Sequence, residues 1–395
     1  METNNQQLCG LSRIRNLSCR VELLDINYNI VDTLQGEITT GSITLNNNHS
    51  STDDNDNSNF ARITGSMEFI LTSDLATDYF KLDLKHLIRI FMIITDKASG
   101  VFAEYNIGVC LINSPNIIRG IDGNNKITIS LNDLMSNYNG DFNGEIEKKI
   151  TIKTSKDSSS NLSQTIYDVA TNANLMGLDS SRVMFESNPY QILSEVTCES
   201  GNKITDLLKS LMDLYKGYEL FFNPDGILIY QRIKNHNTDA IIQEYDNSPN
   251  IVSYSIKKEY TNVRNHIVVL GCTESDTTNN NVGIQYRGEV KQENINHPLS
   301  IINIGDKKKV ISDDKQLTNE SCLSEAEYWL DKYSNYADTL EMQMIPDFRL
   351  VPNRVIKVVY SDDSITINGR YLINSITFGL KASDLSTVSC SLLYN

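Results

Sequence analysis

The chain has 395 residues, which is enough for roughly two to four domains, and its hydrophobic share of 40% is ordinary for a globular protein. It carries 50 acidic against 35 basic residues, a formal net charge of −15. This acidic balance argues against nucleic-acid binding, which needs clustered Lys and Arg. It also argues against binding to an anionic membrane. It favours solubility, or a surface that DNA passes without sticking.

The cysteines and the apolar runs exclude two further classes of protein. The cysteines are scattered, odd in number and without a CxxC pair: Cys9, Cys19, Cys110, Cys198, Cys272, Cys322 and Cys390. They indicate free thiols in a protein made in a reducing cytosol. The N-terminus lacks an apolar h-region, so no signal peptide is expected. The longest apolar run, residues 87–94, is too short to span a bilayer and predicts a buried strand.

Residues 1–152 are predicted to form an N-terminal β-barrel domain. Apolar residues alternate with polar ones around Val21, Met67 and Ile129, which is the period of half-buried strands. Residues 46–59 form a polar run of Asn, Asp and Ser that is too poor in apolar groups to pack on its own. We expect a long surface loop there.

Residues 153–246 are predicted to form a small α+β module. A polar linker opens it, and apolar stripes predict helices over residues 163–174 and from Ile204 to the stop at Gly217. The run YELFF, the turn residues Asn223 to Gly226, and the run ILIYQ then predict a hairpin with a type I turn.

Residues 247–395 are predicted to form a second β-barrel domain. Its strands flank a helix over residues 319–337, whose expected buried stripe is Leu323, Ala326, Leu330, Tyr333 and Ala337. The single tryptophan, Trp329, lies beside this stripe and is expected to pack the helix on the outside of the barrel. Asn368-Gly369 predicts a hairpin turn, and a cluster of turn residues occupies 361–364.

No residue pattern predicts a catalytic, cofactor or metal site. The histidines lie about 30 residues or more apart and show no HxH or HExxH spacing: His49, His86, His236, His266 and His297. The sequence also lacks a GxSxG elbow and a GxxxxGK[ST] phosphate loop. We therefore predict that the protein is not an enzyme and binds no cofactor.

Other chemistries remain as alternatives to this prediction. Abundant Asp and Glu leave open a muramidase, which needs only two carboxyl groups at the right separation. A Cys–His peptidase built on Cys198 or Cys272 is weakly supported, because neither has surroundings that would lower a thiol pKa. The basic runs 257–258 and 307–309 are expected to be solvated surface rather than a nucleic-acid patch.

The order of segments resembles the baseplate hub (tail hub) proteins of tailed bacteriophages and prophages. The C-terminal half carries it in NIVSYSIKKEYTNVRNHIVVLG, NHPLSIINIGDKKKVI, SCLSEAEYWLDKYSNYADTLEMQMIPDFRLVPNRVIKV and INGRYLINSITFGL. The stretch ITDLLKSLMDLYKGYELFFNPDGILIYQ resembles the small α+β insertion of these proteins, and VELLDINYNIVDTL with GSMEFIL resembles their opening strands. The resemblance covers nearly the whole chain except residues 46–59.

The resemblance implies a β-rich α+β fold with two tail-tube-like β-barrels, the α+β insertion and one barrel-packing helix. It also implies a homotrimer whose pseudo-sixfold ring adapts the sixfold tail tube to a threefold spike or fibre and encloses the DNA exit channel. The implied partners are the tail tube or distal tail protein on one side, a spike, fibre or tip protein on the other, and the tape measure protein as a further candidate. The implied location is the virion tail, after synthesis in the host cytoplasm.

Two other function classes stay open at this point. A tail-associated lysin would carry a wall-degrading domain, for which the second barrel leaves no room before the last residue of the sequence. A receptor-binding tail protein would typically show repeated or fibrous segments, and the sequence contains no internal repeat. The acidic balance leads to one more hypothesis, that the channel of the ring is predominantly negative.

Overall fold

Many strands and few helices make up the part of the chain that the structure describes. The computed structural model describes residues 5, 9, 15–36, 38–47, 60–71, 85–119, 125–155, 161–233, 238–274, 283–335, 338–361, 366–381 and 383–394. The predicted β-rich α+β class is confirmed. Residues 48–59, most of the predicted polar loop, lie outside this description.

The elements are numbered along the chain. The strands are β1 (Arg15–Asp25), β2 (Ile30–Gly36), β3 (Ile38–Asn46), β4 (Ile63–Leu71), β5 (His86–Asp96), β6 (Phe102–Arg119), β7 (Asn125–Asp133), β8 (Ile150–Ile152), β9 (Val183–Phe185), β10 (Val196–Cys198), β11 (Tyr218–Phe222), β12 (Leu228–Arg232), β13 (Ile241–Asp246), β14 (Ile251–Lys258), β15 (His266–Glu274), β16 (Ile284–Lys291), β17 (Lys308–Ser312), β18 (Asp338–Met344), β19 (Val355–Ser361), β20 (Thr366–Gly379) and β21 (Ser386–Leu393). The α-helices are α1 (Leu162–Thr171), α2 (Ile204–Met212), α3 (Ile301–Ile304) and α4 (Asn319–Asn335). The helices expected over 163–174 and 204–217 are thus present but end earlier.

One sheet of 13 strands joins the two ends of the chain. Its main path runs β14-β18-β21-β20-β3-β4-β7-β6-β5-β1-β2, and β13 pairs with β19 beside β20. The sheet contains an N-terminal strand set, β1 to β7, and a C-terminal strand set, β13, β14 and β18 to β21. The long strand β20 connects the two sets, because the edge that pairs with β19 near Leu372 goes on to pair with β3 near Ile376. Two separate barrels were expected. Among the described strands the hydrogen-bonded path is instead open and continuous.

The two strand sets also share one hydrophobic core. Met67 and Ile90 from the N-terminal strands are fully buried in the same cluster as Met342 and Ile376 from the C-terminal strands. The predicted buried strand at residues 87–94 is β5, which lies inside this cluster. Since side chains alternate across a strand, both sets present one apolar face to this common core.

A second core belongs to the α+β module. Helices α1 and α2 bury Ile166, Leu207 and Leu211 against the small sheets β10-β8 and β11-β12-β9. The predicted hairpin is confirmed, with β11 and β12 paired across the turn that follows Asn223. The Asn223 side chain accepts hydrogen bonds from two turn N–H groups, and Gly226 takes a positive φ of 73°. Both features fix the turn.

A third unit contains the sheet β16-β15-β17 and helix α4. The helix packs on this small sheet through Cys322, Ala326 and Trp329. It was expected on the outside of a second barrel, but this sheet is separate from the 13-stranded one. Leu323, expected in the buried stripe, is 41% exposed. A Cβ on Gly288 would lie 2.3 Å from the backbone of Cys322. This close approach turns Cys322 toward the sheet and Leu323 outward.

The turn expected at Asn368-Gly369 is not formed. Both residues lie inside β20, where Gly369 pairs with Val358. A Cβ on Gly369 would lie 2.7 Å from Leu392 Cδ1, so glycine is needed here for packing rather than for a turn. Strands β19 and β20 pair in antiparallel fashion up to Ser361 and Thr366. The turn predicted at 361–364 lies outside the described residues after Ser361.

Candidate assembly surface

His266 and His297 have structural surroundings, and His86 lies apart from them in β5. His266 is buried, and its ring nitrogens lie 3.0 Å from Asp306 and 2.9 Å from Glu289. His297 is buried elsewhere in the third unit, where its Nδ1 accepts a hydrogen bond from the Leu299 N–H. His49 and His236 lie outside the described residues. Within the described ranges, no group of three His, Cys, Asp or Glu side chains has a metal-binding arrangement.

One carboxyl group has the chemistry of a general acid but not its position. Burial, together with the negative charge of Asp313, raises the pKa of Glu325 to about 7. A general acid must reach the bond that it protonates. Glu325 is only 4% exposed, on the buried face of helix α4, so a polysaccharide cannot reach it in this conformation.

The cysteines proposed for a peptidase also lack the necessary surroundings. Burial raises the pKa of the Cys198 thiol, which opposes formation of the thiolate nucleophile. Cys272 lies in β15 of the third unit and is partly exposed. Its Sγ lies 3.7 Å from the Thr273 carbonyl oxygen. Neither thiol has a histidine among its hydrogen-bond partners in the described structure.

The basic runs are engaged in local pairs rather than gathered into a patch. Lys257 lies 3.7 Å from Glu259, and Lys258 lies 3.6 Å from Asp338. Lys309 donates a hydrogen bond to the Tyr333 hydroxyl and so helps to hold helix α4 on its sheet. This local pairing differs from the clustered basic surface that binds nucleic acid.

A polar groove of about 1150 Å³ lies between helix α1 and the segment around β8. Glu145, Glu147 and Asp168 bring carboxylates to its walls, and Ile150 and Val169 bring apolar surface. These carboxylates are exposed to solvent. A glycosidase acid usually lies in apolar surroundings, so the groove does not have the features of a glycosidase site.

A buried polar junction connects the N-terminal strand set, the C-terminal strand set and the α+β module. Glu219 of β11 accepts hydrogen bonds from Arg62 of the N-terminal strand set (2.6 Å), Asn353 of the C-terminal set (2.8 Å) and Gln231 of β12 (2.5 Å). The Arg62 guanidinium also stacks 3.5 Å from the ring centroid of Phe221. A junction of this kind makes the relative placement of the three parts specific, because each polar group needs the others.

The three free edges of the 13-stranded sheet are its most unusual surface. Strands β2, β13 and β14 each pair on one side only within the described chain. Each also exposes two large aliphatic side chains, namely Ile30 and Val31, Ile241 and Ile242, and Val252 and Ile256. Proteins that stay monomeric usually protect such edges, because unpaired N–H and C=O groups beside apolar side chains recruit other strands. These three edges are the candidate assembly surface.

Comparison with known proteins gives a consistent result for the fold. No protein-family model matches the chain, and no curated protein is significantly similar to it. The chain is similar to the 43 kDa tail protein of prophage MuSo2 from Shewanella oneidensis, with 13% identity, a TM-score of 0.59, and coverage of 95% of this chain and 98% of that chain. It is also similar to the tail protein from Neisseria meningitidis MC58, with 13% identity, a TM-score of 0.56, and coverage of 95% and 96%.

A third similar structure is the lidded PdpA-VgrG complex of Francisella. There the identity is 12% and the TM-score 0.52, and the match covers 97% of this chain but 53% of that chain. At such identities the likeness establishes the fold, which is a tail-protein fold over nearly the full length of the chain. No helix in the described ranges combines the length and the apolar character that a membrane crossing requires.

Proposed function

We propose that this protein is the structural hub of a phage tail baseplate or tail tip. Three copies form a ring that adapts the sixfold tail tube to a threefold spike or fibre and lines the channel through which DNA leaves. The protein therefore resides in the virion tail, and its partners are the tail tube or distal tail protein on one side and a spike, fibre or tip protein on the other.

The observation that carries this proposal is the likeness to prophage tail proteins over 95% of the chain, which leaves little of it for another function. The sheet supports it physically. Each chain contributes two strand sets, joined at β20, so three chains contribute six. Six similar units are what a threefold particle needs in order to meet a sixfold tube.

The candidate assembly surface supplies a means of association. An edge strand of one copy can pair with an edge strand of the next, and the aliphatic side chains beside those edges become buried in the same step. Such pairing satisfies the main-chain groups of β2, β13 and β14 that have no strand partner among the described residues of the single chain.

The proposal is tested by the mass and shape of the purified protein. We expect light scattering to give three chains per particle, and negative-stain images to show a threefold ring with a central hole. Ile256→Glu, on edge strand β14, should reduce the trimer fraction, because it places a charge beside an interstrand contact. Ile302→Glu, on the exposed helix α3, is the matched control and should leave the mass unchanged.

Monomers at all concentrations, for the protein alone and with its tail partners, would contradict the ring. Equal masses for the two variants and the parent trimer would contradict only the part assigned to β14. A ring whose channel is lined by a net basic surface would contradict the companion proposal that the channel is negative and repels DNA phosphate.

We also propose that the hub is not an enzyme and that residues 1–152, 153–246 and 247–395 are its domains. The burial of Glu325 and the raised pKa of Cys198 support the first statement. A zymogram on bacterial cell walls tests it, since a cleared band at the mass of this chain would favour a lysin. Fragments that end at these boundaries test the assignment of the three domains.

A further inference from the structure

The C-terminal strand set repeats the strand order of the N-terminal set. In the N-terminal set, β3, β4, β7, β6 and β5 follow one another across the sheet, and each neighbouring pair is antiparallel. In the C-terminal set, β14, β18, β21, β20 and β19 follow one another in the same way, again with antiparallel pairs. By position in these two runs, β14 corresponds to β3 and β20 corresponds to β6.

The registers of the two runs agree as well. Met67 of β4 and Met342 of β18 occupy corresponding positions, and both are fully buried. Counted from the residues opposite these methionines, residues 42–44 of β3 correspond to residues 255–257 of β14. Both strands also carry a register shift at the same point, just before the residue that faces the methionine. A shared irregularity of this kind supports the correspondence residue by residue.

The long strands β6 and β20 correspond in sequence too. The run LINS occurs at residues 111–114 of β6 and at residues 372–375 of β20. Pairing of β6 with β5 ends at Leu111, and pairing of β20 with β19 ends at Leu372. The register with the strand on the other side shifts within or just after this run in both cases. The strand registers give this short run its meaning, because four residues alone do not define a repeat.

The two long strands differ in what they meet beyond this run. Residues 375–379 of β20 continue along the edge that pairs with β19 and pair there with β3. Residues 112–119 of β6 have no strand partner on the corresponding edge within the described ranges. The edge of β14 that corresponds to the β20-facing edge of β3 also lacks a strand partner there. The chain therefore contains one formed junction, β20 with β3, and two strands that could form a second one.

The exposure of corresponding residues shows what the unformed junction lacks. Ile43 is fully buried in the formed junction, where it lies opposite Phe378. Its counterpart Ile256 on β14 is 44% exposed, and Ile118 on β6 is 45% exposed. Aliphatic side chains beside an unpaired strand edge are the pattern that recruits another strand. The formed junction shows which strand fits.

We propose that β14 of one copy pairs with the end of β6 in the next copy, residues 114–118, in the register of the β20–β3 junction; this inference rests on the proposed trimeric hub. In this register Asn116 lies opposite Lys257, and Ile118 lies opposite Ser255. The contact is head-to-tail, since it joins different surfaces of the two copies, and three such contacts close a ring. Junctions within chains and junctions between chains then alternate around the ring.

A disulfide trap tests the register. Thr44 and Thr377 correspond to Lys257 and Asn116, and their hydroxyl oxygens lie 3.0 Å apart within the chain. Cysteines at the corresponding positions of neighbouring copies would therefore lie within disulfide reach. After treatment with oxidised glutathione, Asn116→Cys/Lys257→Cys should give a covalent three-chain species on non-reducing gels. Cys272→Ser in every variant removes the native thiol that is partly exposed.

The chain offers matched controls for this trap. Thr44→Cys/Thr377→Cys should form its disulfide within one chain, because that junction is already formed. Asn116→Cys/Ser253→Cys places the second cysteine about 13 Å along β14 from the proposed partner and on the same face. Its cross-linked fraction should be about tenfold lower. Neither single variant should cross-link, because a head-to-tail contact does not bring a residue against its own copy. Circular dichroism checks that each variant is folded.

Light scattering separates failure of this junction from failure of the hub. A trimeric double variant that cross-links no more than the off-register control would overturn the β14–β6 junction and leave the ring in place. Cross-linked dimers of either single variant would show that like surfaces meet, and would overturn the head-to-tail contact. A protein that stays monomeric even with its tail partners would overturn both proposals.

Discussion

Glu219→Gln should be one of the most destabilising single-atom changes in this protein. Glu219 is 2% exposed, and the described residues that hydrogen-bond to its oxygens are all donors: Arg62, Asn353 and Gln231. A glutamine amide would place an NH₂ group against at least one of these donors. It would also remove the negative charge that faces the buried guanidinium of Arg62.

The magnitude follows from this geometry. Removal of one partner from a buried ion pair costs about 3–5 kcal/mol, because the other charge stays buried without compensation. Arg62 keeps its cation–π contact with Phe221, and Asp133, which accepts a hydrogen bond from the Arg62 backbone N–H at 2.9 Å, still attracts the guanidinium. The loss therefore falls at the lower end of this range. We therefore expect a loss of about 3 kcal/mol in the free energy of unfolding.

Urea denaturation followed by circular dichroism measures this loss from the shift in midpoint at constant slope. Glu199→Gln is the matched control. Glu199 lies 2.7 Å from Lys149, but both side chains are more than half exposed, at 61% and 57%. Exposed ion pairs contribute about 0–1 kcal/mol to stability. The urea midpoint of this variant should therefore be close to that of the parent protein.

The reasoning fails if Glu219→Gln and Glu199→Gln have the same midpoint. It also fails if Glu219→Gln costs as much in an Arg62→Met background as in the parent. In that case the loss would come from Gln231 and Asn353 alone, and the charge of Arg62 would be irrelevant. A coupling energy of about 1–3 kcal/mol between positions 62 and 219 supports the argument.

Two further substitutions test packing. Trp329→Ala should cost about 3 kcal/mol, because it removes a buried ring between α4 and its sheet, whereas Leu323→Ala on the exposed side of α4 should cost under about 1 kcal/mol. Equal urea midpoints for these two would contradict the packing described for α4. Gly369→Val should cost about 1–3 kcal/mol, because its Cβ meets Leu392, and Leu392→Ala should recover part of that loss in thermal unfolding.

The local elements were largely predictable from sequence, because their signals are local. The apolar stripe of α2 and the Asn223 to Gly226 turn are complete within one run of residues, and both are formed. Asn368-Gly369 has an equally strong local signal, but the prediction of a turn there is wrong. There the long pairing of β20 with β19 and β21 and the approach of Leu392 override it.

The candidate assembly surface could not be predicted, because it depends on which strands end the sheet. Adjacent aliphatic residues such as Ile241 and Ile242 are visible in the sequence, but the same pattern also occurs in buried strands. The Glu219 junction could not be predicted from sequence either, because it is formed by residues that are far apart along the chain. Its partners lie 157 residues away at Arg62 and 134 residues away at Asn353, a separation that no local pattern reports.

The junction and the free edges together favour an assembly component over an independent monomer. A buried junction of charged and amide groups gives little net stability, yet it fixes three parts of the chain in one arrangement. Such rigidity is useful when edges on different parts must meet neighbours at set angles, since a flexible chain would lose entropy on each contact. Exposed aliphatic edges, by contrast, are a liability for a free monomer. The proposed function explains both features, because it covers β2, β13 and β14 with neighbouring polypeptides.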